Sequence, residues 1–382
     1  MDQPSLRIIE DIADIPAAEW NALAGDSPML SHAFLLALQE SGCAMPRYGW
    51  RAQFVTLWQQ GKLVAAMPLY LKTNSFGEHV FDFAWADAYH RHGLRYYPKL
   101  VCTVPFTPVS GRRLLATSGE MRSLLLKHAL HYAKDTGVSS LHCLFLNEAD
   151  MREAQAQGML LRQDVQFHWH NPGYRDFDDF LSALCRDKRK RIKQERRKVR
   201  EAGIELRCVT GENASREHWS FFASCYLHTL RMHGSPHQLN EDFFQRLGAA
   251  LPRHILLVIA YREGKPIASA LNYVSSNALY GRSWGTFEFH SGLHFETCYY
   301  QAIEFCIAHG IKTFEGGAGG EHKLARGFLP VTTRSAHWLA HPQFAQAVED
   351  YLRQETNAVT GYVDELNERS PFKRGQDDVP EY

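Results

Sequence analysis

No run of apolar residues approaches the ~18 needed for a membrane-crossing helix; the longest clean stretch is "ILLVIAY" at 255–261. Net charge is also missing. The 42 basic and 42 acidic residues cancel, so any polyanion must be bound by a local patch and not by bulk charge. Eight cysteines lie scattered without a C-x-x-C pair, which argues against a zinc ribbon or a dithiol redox site. Cys298 and Cys306 stand eight positions apart on one predicted helix and suit small apolar filling better than metal binding. The first residues, "MDQPSLRIIEDIADIP", are acidic and lack the apolar core of a secretory signal. There is no low-complexity tract, and no G-x-S-x-G that would mark a serine nucleophile at a strand-to-helix elbow. Together these absences predict a reduced, cytoplasmic chain without a metal or a permanently bound cofactor.

What is present fits an ordinary globular protein, 45% hydrophobic and 22% charged, and 382 residues suffice for two or three domains. Two segments repeat each other. "FVTLWQQGKLVAAMPLYL" (54–71) and "LLVIAYREGKPIASALNYV" (256–274) each read as a strand, a turn ending in Gly, and a second strand. Aligning Gly61 with Gly264 also matches Lys62 with Lys265, Ala65 with Ala268 and Tyr70 with Tyr273. Downstream of each hairpin comes an amphipathic helix, a glycine stop (Gly137, Gly310) and a short β-rich strand. The pattern predicts two similar α/β domains with mixed, mostly antiparallel sheets flanked by helices. Their expected limits are 1–170 and 171–345, followed by a terminal amphipathic helix and tail over 346–382.

One segment is strongly basic. "RDKRKRIKQERRKVR" (186–200) holds ten Lys or Arg against Asp187 and Glu195, with Gly203 just past its end. A helix of about four turns is predicted, with Ile192 and Val199 on a narrow apolar stripe. So many like charges forgo the i,i+4 ion pairs of a solvated helix. That favours phosphate binding, with Lys188, Arg189, Arg191, Lys193 and Arg197 as candidates; a solvated linker helix is the alternative. Aromatic residues are too sparse there for base reading.

The densest motif is "GGAGGEHKLARGFLP" (316–330), four glycines in five positions directly after the predicted strand "IKTFE". Such a strand-to-helix corner exposes backbone N–H groups suited to a phosphate or an oxyanion. It is not a P-loop, since Leu324 follows Lys323 where Ser or Thr is required.

The run 293–338, "LHFETCYYQAIEFCIAHGIKTFEGGAGGEHKLARGFLPVTTRSAHW", closely resembles the FemAB-like predicted N-acyltransferases of the GNAT superfamily, known as a peptidoglycan biosynthesis/recognition-type domain. The resemblance extends to "KRKRIKQERRKVREAGI" at 188–204 and to residues 68–115, so it covers nearly the whole chain. It implies tandem GNAT-like domains and transfer of an acyl or aminoacyl group to an amine, on a peptide or cell-wall precursor. The donor would be aminoacyl-tRNA, reached through 186–200, or an acyl-CoA. The coenzyme A mark [RQ]-x-x-G-x-[GA] is met only by "RSWGTF" (282–287), which ends in Phe287, so the charged tRNA is favoured. A non-catalytic module that recognises a peptide or cell-wall fragment is a third reading. A neutral amine attacking an ester or thioester needs a base and oxyanion donors. Glu321, Glu315, His322 and Lys323 are the candidates for those roles. Tyr299, Arg326, Gly317, Gly319 and Gly320 would bind substrate beside them, with Tyr226, Thr229 and His233 of "YLHTLRMHGSP" on the acceptor side.

Overall fold

The computed structural model describes residues 3–235 and 238–373; most of the expected tail, 374–382, lies outside the described residues. The chain divides into two compact units. The first comprises 1–164, 237–239 and 332–360, and the second 165–236, 240–331 and 361–382. The expected limit at 170 falls at the end of strand Leu160–His170, and residues 332–345, expected with the second half, are grouped with the first.

In the first unit, Ser5–Ile9, Phe54–Gln59, Lys62–Met67 and Leu115–Ala116 form an antiparallel sheet in that order. Gln60 and Gly61 join the central hairpin, both at positive φ (51° and 78°), as a two-residue turn matching strand twist requires. A second set of strands runs Trp50–Ala52, Leu69–Lys72, Lys99–Cys102, Ser140–Cys143 and then residues 336–339. Among the described residues only Lys99–Cys102 and Ser140–Cys143 pair in parallel there, and helix Gly119–Asp135 makes the crossover between them. Leu125, Leu126, Ala129 and Ala133 of that helix are fully buried against the strands.

The second unit repeats the plan. Its strands run Ile204–Thr210, Ile255–Arg262, Lys265–Val274, Ala278–Thr286, Thr313–Ala318 and residues 166–170. The hairpin turn again has two positive φ values, Glu263 at 51° and Gly264 at 74°. Its one parallel pair among the described residues is Ala278–Thr286 with Thr313–Ala318, bridged by a helical run over 293–308. That run contains a π-helical turn, Glu296–Tyr300, inside what the sequence presents as a uniform helix. Such turns recur at functional sites. Helix Arg216–Met232 covers the sheet so closely that a Cβ on Gly285 would sit 2.1 Å from the Cys225 carbonyl oxygen.

A buried polar cluster in the first unit has no counterpart in the sequence reading. Lys99, fully buried, donates to Glu78 Oε2 (2.8 Å), Ser75 Oγ (2.8 Å) and Asp82. Tyr96 donates to Asp82 at 2.5 Å and meets His142 Nε2 at 3.2 Å. The Nδ1 atoms of His142 and His337 face each other at 2.7 Å, while their Nε2 atoms reach Ser140 and Ser335 at 2.8 and 2.9 Å. Burial holds both imidazoles neutral, His142 down at about 3 and His337 well below the ordinary histidine value.

Candidate functional site

Strands Ala278–Thr286 and Thr313–Ala318 stay in register only over 278–280 and 313–315, and then part. A bulge opposite Leu271 and Asn272 inserts Arg282 as the extra residue between Gly281 and Ser283. Where the strands separate lies a cavity of about 340 Å³. Its walls come from the bulged strand (Arg282, Trp284), the helical run (His294, Cys298, Tyr299), the glycine turn, and His322 with Lys323.

The glycines have a specific conformational task. Lys323, only 3% exposed, donates from Nζ to the carbonyl oxygens of Gly317 (2.7 Å) and Gly319 (2.6 Å), with that of Ala318 at 3.4 Å. In an extended strand successive carbonyls point to opposite sides. Turning three in a row onto one ammonium needs left-handed backbone, which Gly317, Gly319 and Gly320 supply at φ 79°, 68° and 92°. With the carbonyls drawn to Lys323, the turn is a built corner of the cavity wall and not a slack loop. Burial, with Arg282 nearby, pulls the Lys323 pKa down to about 8.

Beside it the Tyr299 hydroxyl and His322 Nε2 meet at 3.1 Å. Burial raises the tyrosine out of its ordinary range, and burial followed by Lys323 and Arg326 lowers the histidine. The pair is therefore a neutral phenol against a neutral imidazole at neutral pH. A Cβ on Gly320 would lie 2.5 Å from the His322 ring, so this glycine also makes room for the imidazole. The Cys298 thiol is pushed up by burial and is no nucleophile at neutral pH.

The remaining sequence candidates lie elsewhere. Arg326 is fully buried beneath the corner. It donates to the His322 carbonyl oxygen (2.5 Å) and to Glu195 (2.7 Å), and it lies 3.3 Å from the Phe295 ring centroid. It holds the short helix Glu321–Arg326 in place and cannot clamp a ligand as anticipated. Glu321 does not line the cavity and accepts from Tyr362 (2.8 Å) and Arg369 (3.1 Å), at the end of helix Pro342–Glu368 and just past it, as a structural acceptor. Glu315 faces His168 across the strand pair, 3.9 Å from Nε2, and does not line the cavity. Tyr226 packs between Phe222 and Phe244, Thr229 bonds to the Trp284 carbonyl oxygen (3.2 Å), and His233 is exposed at the helix end. None of these three lines the cavity. The structure thus gathers Lys323, His322, Tyr299 and the glycines, and adds Arg282 and His294. The bulge that presents Arg282 is a pairing irregularity with no local sequence signal.

The basic segment is helix Arg186–Glu201, with Ile192 and Val199 buried. It borders a second, larger cavity of about 1460 Å³. Arg189, Lys193 and Arg197 line this groove, whereas Lys188 and Arg191 do not. Arg191 instead pairs with Glu195 at 3.1 Å, the same carboxylate that takes Arg326 and the Tyr300 hydroxyl. Among the described residues no group of three or more His, Cys, Asp or Glu side chains is placed to hold a metal ion, and no helix is long and apolar enough to cross a membrane.

A family model described as FemAB-like, peptidoglycan biosynthesis/recognition, matches residues 11–374. No curated protein matches the sequence. Among solved structures, FemX superposes with a TM-score of 0.55 at 12% identity, covering 88% of this chain and 98% of that one. The C-terminal domain of a putative lysylphosphatidylglycerol synthetase from Agrobacterium fabrum gives 0.54 at 9% identity, covering 89% and 96%. A tandem GNAT protein from the clavulanic acid biosynthesis pathway gives 0.47 at 12% identity, covering 89% and 99%.

Proposed function

The protein belongs to the FemAB-like family, and we propose that it is an N-acyltransferase that moves an acyl or aminoacyl group from an activated donor onto an amine in the cavity beside Lys323. The observation that carries this reading is the meeting, at the point where two parallel strands part, of a lysine-held glycine turn with a Tyr299–His322 pair. Amine attack forms a C–N bond and breaks the carbonyl's C–O or C–S bond. The amine sheds one proton, which the Tyr299 hydroxyl can pass to neutral His322 and return to the departing oxygen or sulfur. Lys323 and Arg282 place positive charge where the carbonyl oxygen becomes an oxyanion.

The acceptor in this reading is a peptide or small-molecule amine, such as a cell-wall precursor, which the family's description as peptidoglycan biosynthesis/recognition supports. Aminoacyl-tRNA is the favoured donor and acyl-CoA the alternative, and neither is a resident cofactor. The test offers the purified protein a charged tRNA, an acyl-CoA or a small activated ester together with amine acceptors, and follows amide formation by mass spectrometry. Transfer that drops about 10²-fold in Lys323→Met, with folding intact, supports the reading. No transfer from any donor, alongside saturable binding of a peptide, would assign the protein to recognition instead.

A further inference from the structure

Among the described residues that wall the transfer cavity there is no aspartate or glutamate. Acids close to it in the chain are engaged elsewhere. Glu321 accepts from Tyr362 and Arg369, Glu296 takes Arg196, and Glu195 takes the buried Arg326. Burial opposes the charge on Arg282, and among carboxylates Glu315 acts to keep it, yet Glu315 faces His168 and stays off the wall. The ionised groups on the wall are therefore Arg282 and Lys323. Burial above all holds His294 and His322 neutral, the first down at about 4. For the same reason Cys298 and Tyr299 keep their protons. Setting Glu315 against Arg282 still leaves the charge of Lys323, which is largely protonated at neutral pH.

This wall treats amines selectively. A protonated amine meets repulsion there, and a bare one meets only neutral partners such as His294, Asn272 and Ser283. Shedding the proton suits the attack, but an amine that brings no anion gains little on entering. An amine with its own carboxylate supplies the charge that the wall lacks. At about 340 Å³ the cavity is at the small end of ligand sites, so amine and anion must sit on one small group. Lys323 already gives N–H groups to the carbonyl oxygens of Gly317 and Gly319, which suits it to a single further oxygen, the oxyanion. A guanidinium carries five N–H groups in a planar fork that matches a carboxylate. The bulge that inserts Arg282 is a device that re-aims a side chain. A doubly charged phosphate fits less well, because carbonyl oxygens crowd this corner and one positive charge remains to be balanced.

We propose that the acceptor carries a carboxylate beside its reacting amine, as an α-amino acid or a very short peptide does, and that Arg282 selects it. The inference rests on the transfer reading and names the chemistry of its acceptor.

Matched acceptors that differ only in that group provide the test. They are glycine, L-alanine, L-lysine and glycylglycine, each as free acid and as amide, with the small activated ester as donor. The free acid of the best pair is expected to lead by about 10- to 10²-fold in kcat/KM, mostly through KM, as for a hydrogen bond to a charged group. Arg282→Gln brings that ratio near one, and Arg282→Lys restores part of it. The ratio cancels what Arg282 does for the oxyanion, since both members of a pair pass through the same bond-forming step. Calorimetric binding of the same pairs to the native protein needs no donor, and it decides the matter even where a substituted Arg282 fails to fold. Amides used or bound as well as acids, or an acid preference that survives in Arg282→Gln, would overturn the proposal. So would a failure of every acid to bind at millimolar concentration. Inorganic phosphate binding more tightly than any of the acids would return the cations to a phosphate of the donor. Binding of acids over amides without transfer to either would end the transfer reading and leave the carboxylate site standing.

Discussion

Glu195 is the acid on which the corner depends, and Glu195→Ala measures how much. Its carboxylate takes the buried Arg326 at 2.7 Å, the Tyr300 hydroxyl, and the exposed Arg191 at 3.1 Å. Loss of the exposed partner is worth about 0–1 kcal/mol, as for surface pairs generally. Loss of Glu195 leaves the fully buried Arg326 with an uncompensated charge, which costs about 3–5 kcal/mol. It also strands the Tyr300 hydroxyl, for about 1–3 kcal/mol more if no water replaces it. Those contributions overlap, so about 4 kcal/mol is expected from denaturant unfolding, and less than about 1 kcal/mol from Arg191→Ala. The double variant Glu195→Ala/Arg326→Met removes both buried charges and should recover a large part of the loss, since the penalty lies in the orphaned guanidinium. If Glu195→Ala matched Arg191→Ala, or if the double variant were worse than the sum of its parts, the account of the corner given above would be wrong.

Gly320→Ala places a Cβ 2.5 Å from the His322 ring at φ 92°, so it should shift the His322 ring resonances and lower transfer while costing about 1–3 kcal/mol. Gly285→Ala drives a Cβ into the Cys225 carbonyl and should detach helix Arg216–Met232, lowering the melting temperature by several degrees or more. In the first unit, Glu78 is raised to about 7 and Lys72 lowered to about 7, each mainly by burial. A raised carboxylate withdraws stability as pH climbs from about 4.5 to 7, because the unfolded chain releases that proton first; a lowered lysine returns it from about 7 to 10.5. Glu78→Gln should therefore flatten the first limb of a stability–pH curve and Lys72→Met the second, and a variant that left its limb unchanged would refute the assignment.

How far the sequence led depends on how local each feature is. Both hairpin turns were legible at Gly61 and Gly264, since a positive φ beside a strand leaves few residue choices. The helix stops at Gly137 and Gly310 were legible for the same reason, with φ at 65° and 66°. The basic helix was foreseen with its buried stripe, because Ile192 and Val199 alone could turn inward. Which cations face the groove was not, since that depends on where a distant strand and the helical run stand. Arg282 was missed because a bulge is a property of two strands' register. Glu321 sits beside the site residues in sequence, yet Tyr362 and Arg369, some forty positions on, decide where it points. Lys99 lies 17 and 21 residues from Asp82 and Glu78, separations that hide in the sequence a cluster built by chain folding.

The facing imidazoles of His142 and His337 impose a rule on the first unit's interior. Both are neutral, and one Nδ1 must carry the proton that the other accepts, so their tautomers are opposite at every moment. If His142 donates from Nδ1, its Nε2 accepts from Ser140, since the Tyr96 proton goes to Asp82, and His337 must donate from Nε2 to Ser335. Reversing either ring reverses every hydrogen bond from strand Ser140–Cys143 to strand Leu329–Leu339. The row from Ser140 to Ser335 therefore has a direction, one of two, and its members switch together. A pH titration passes over such a reversal, because no charge changes. Nitrogen chemical shifts of the two rings would register it as a paired exchange of protonated and bare Nδ1 atoms.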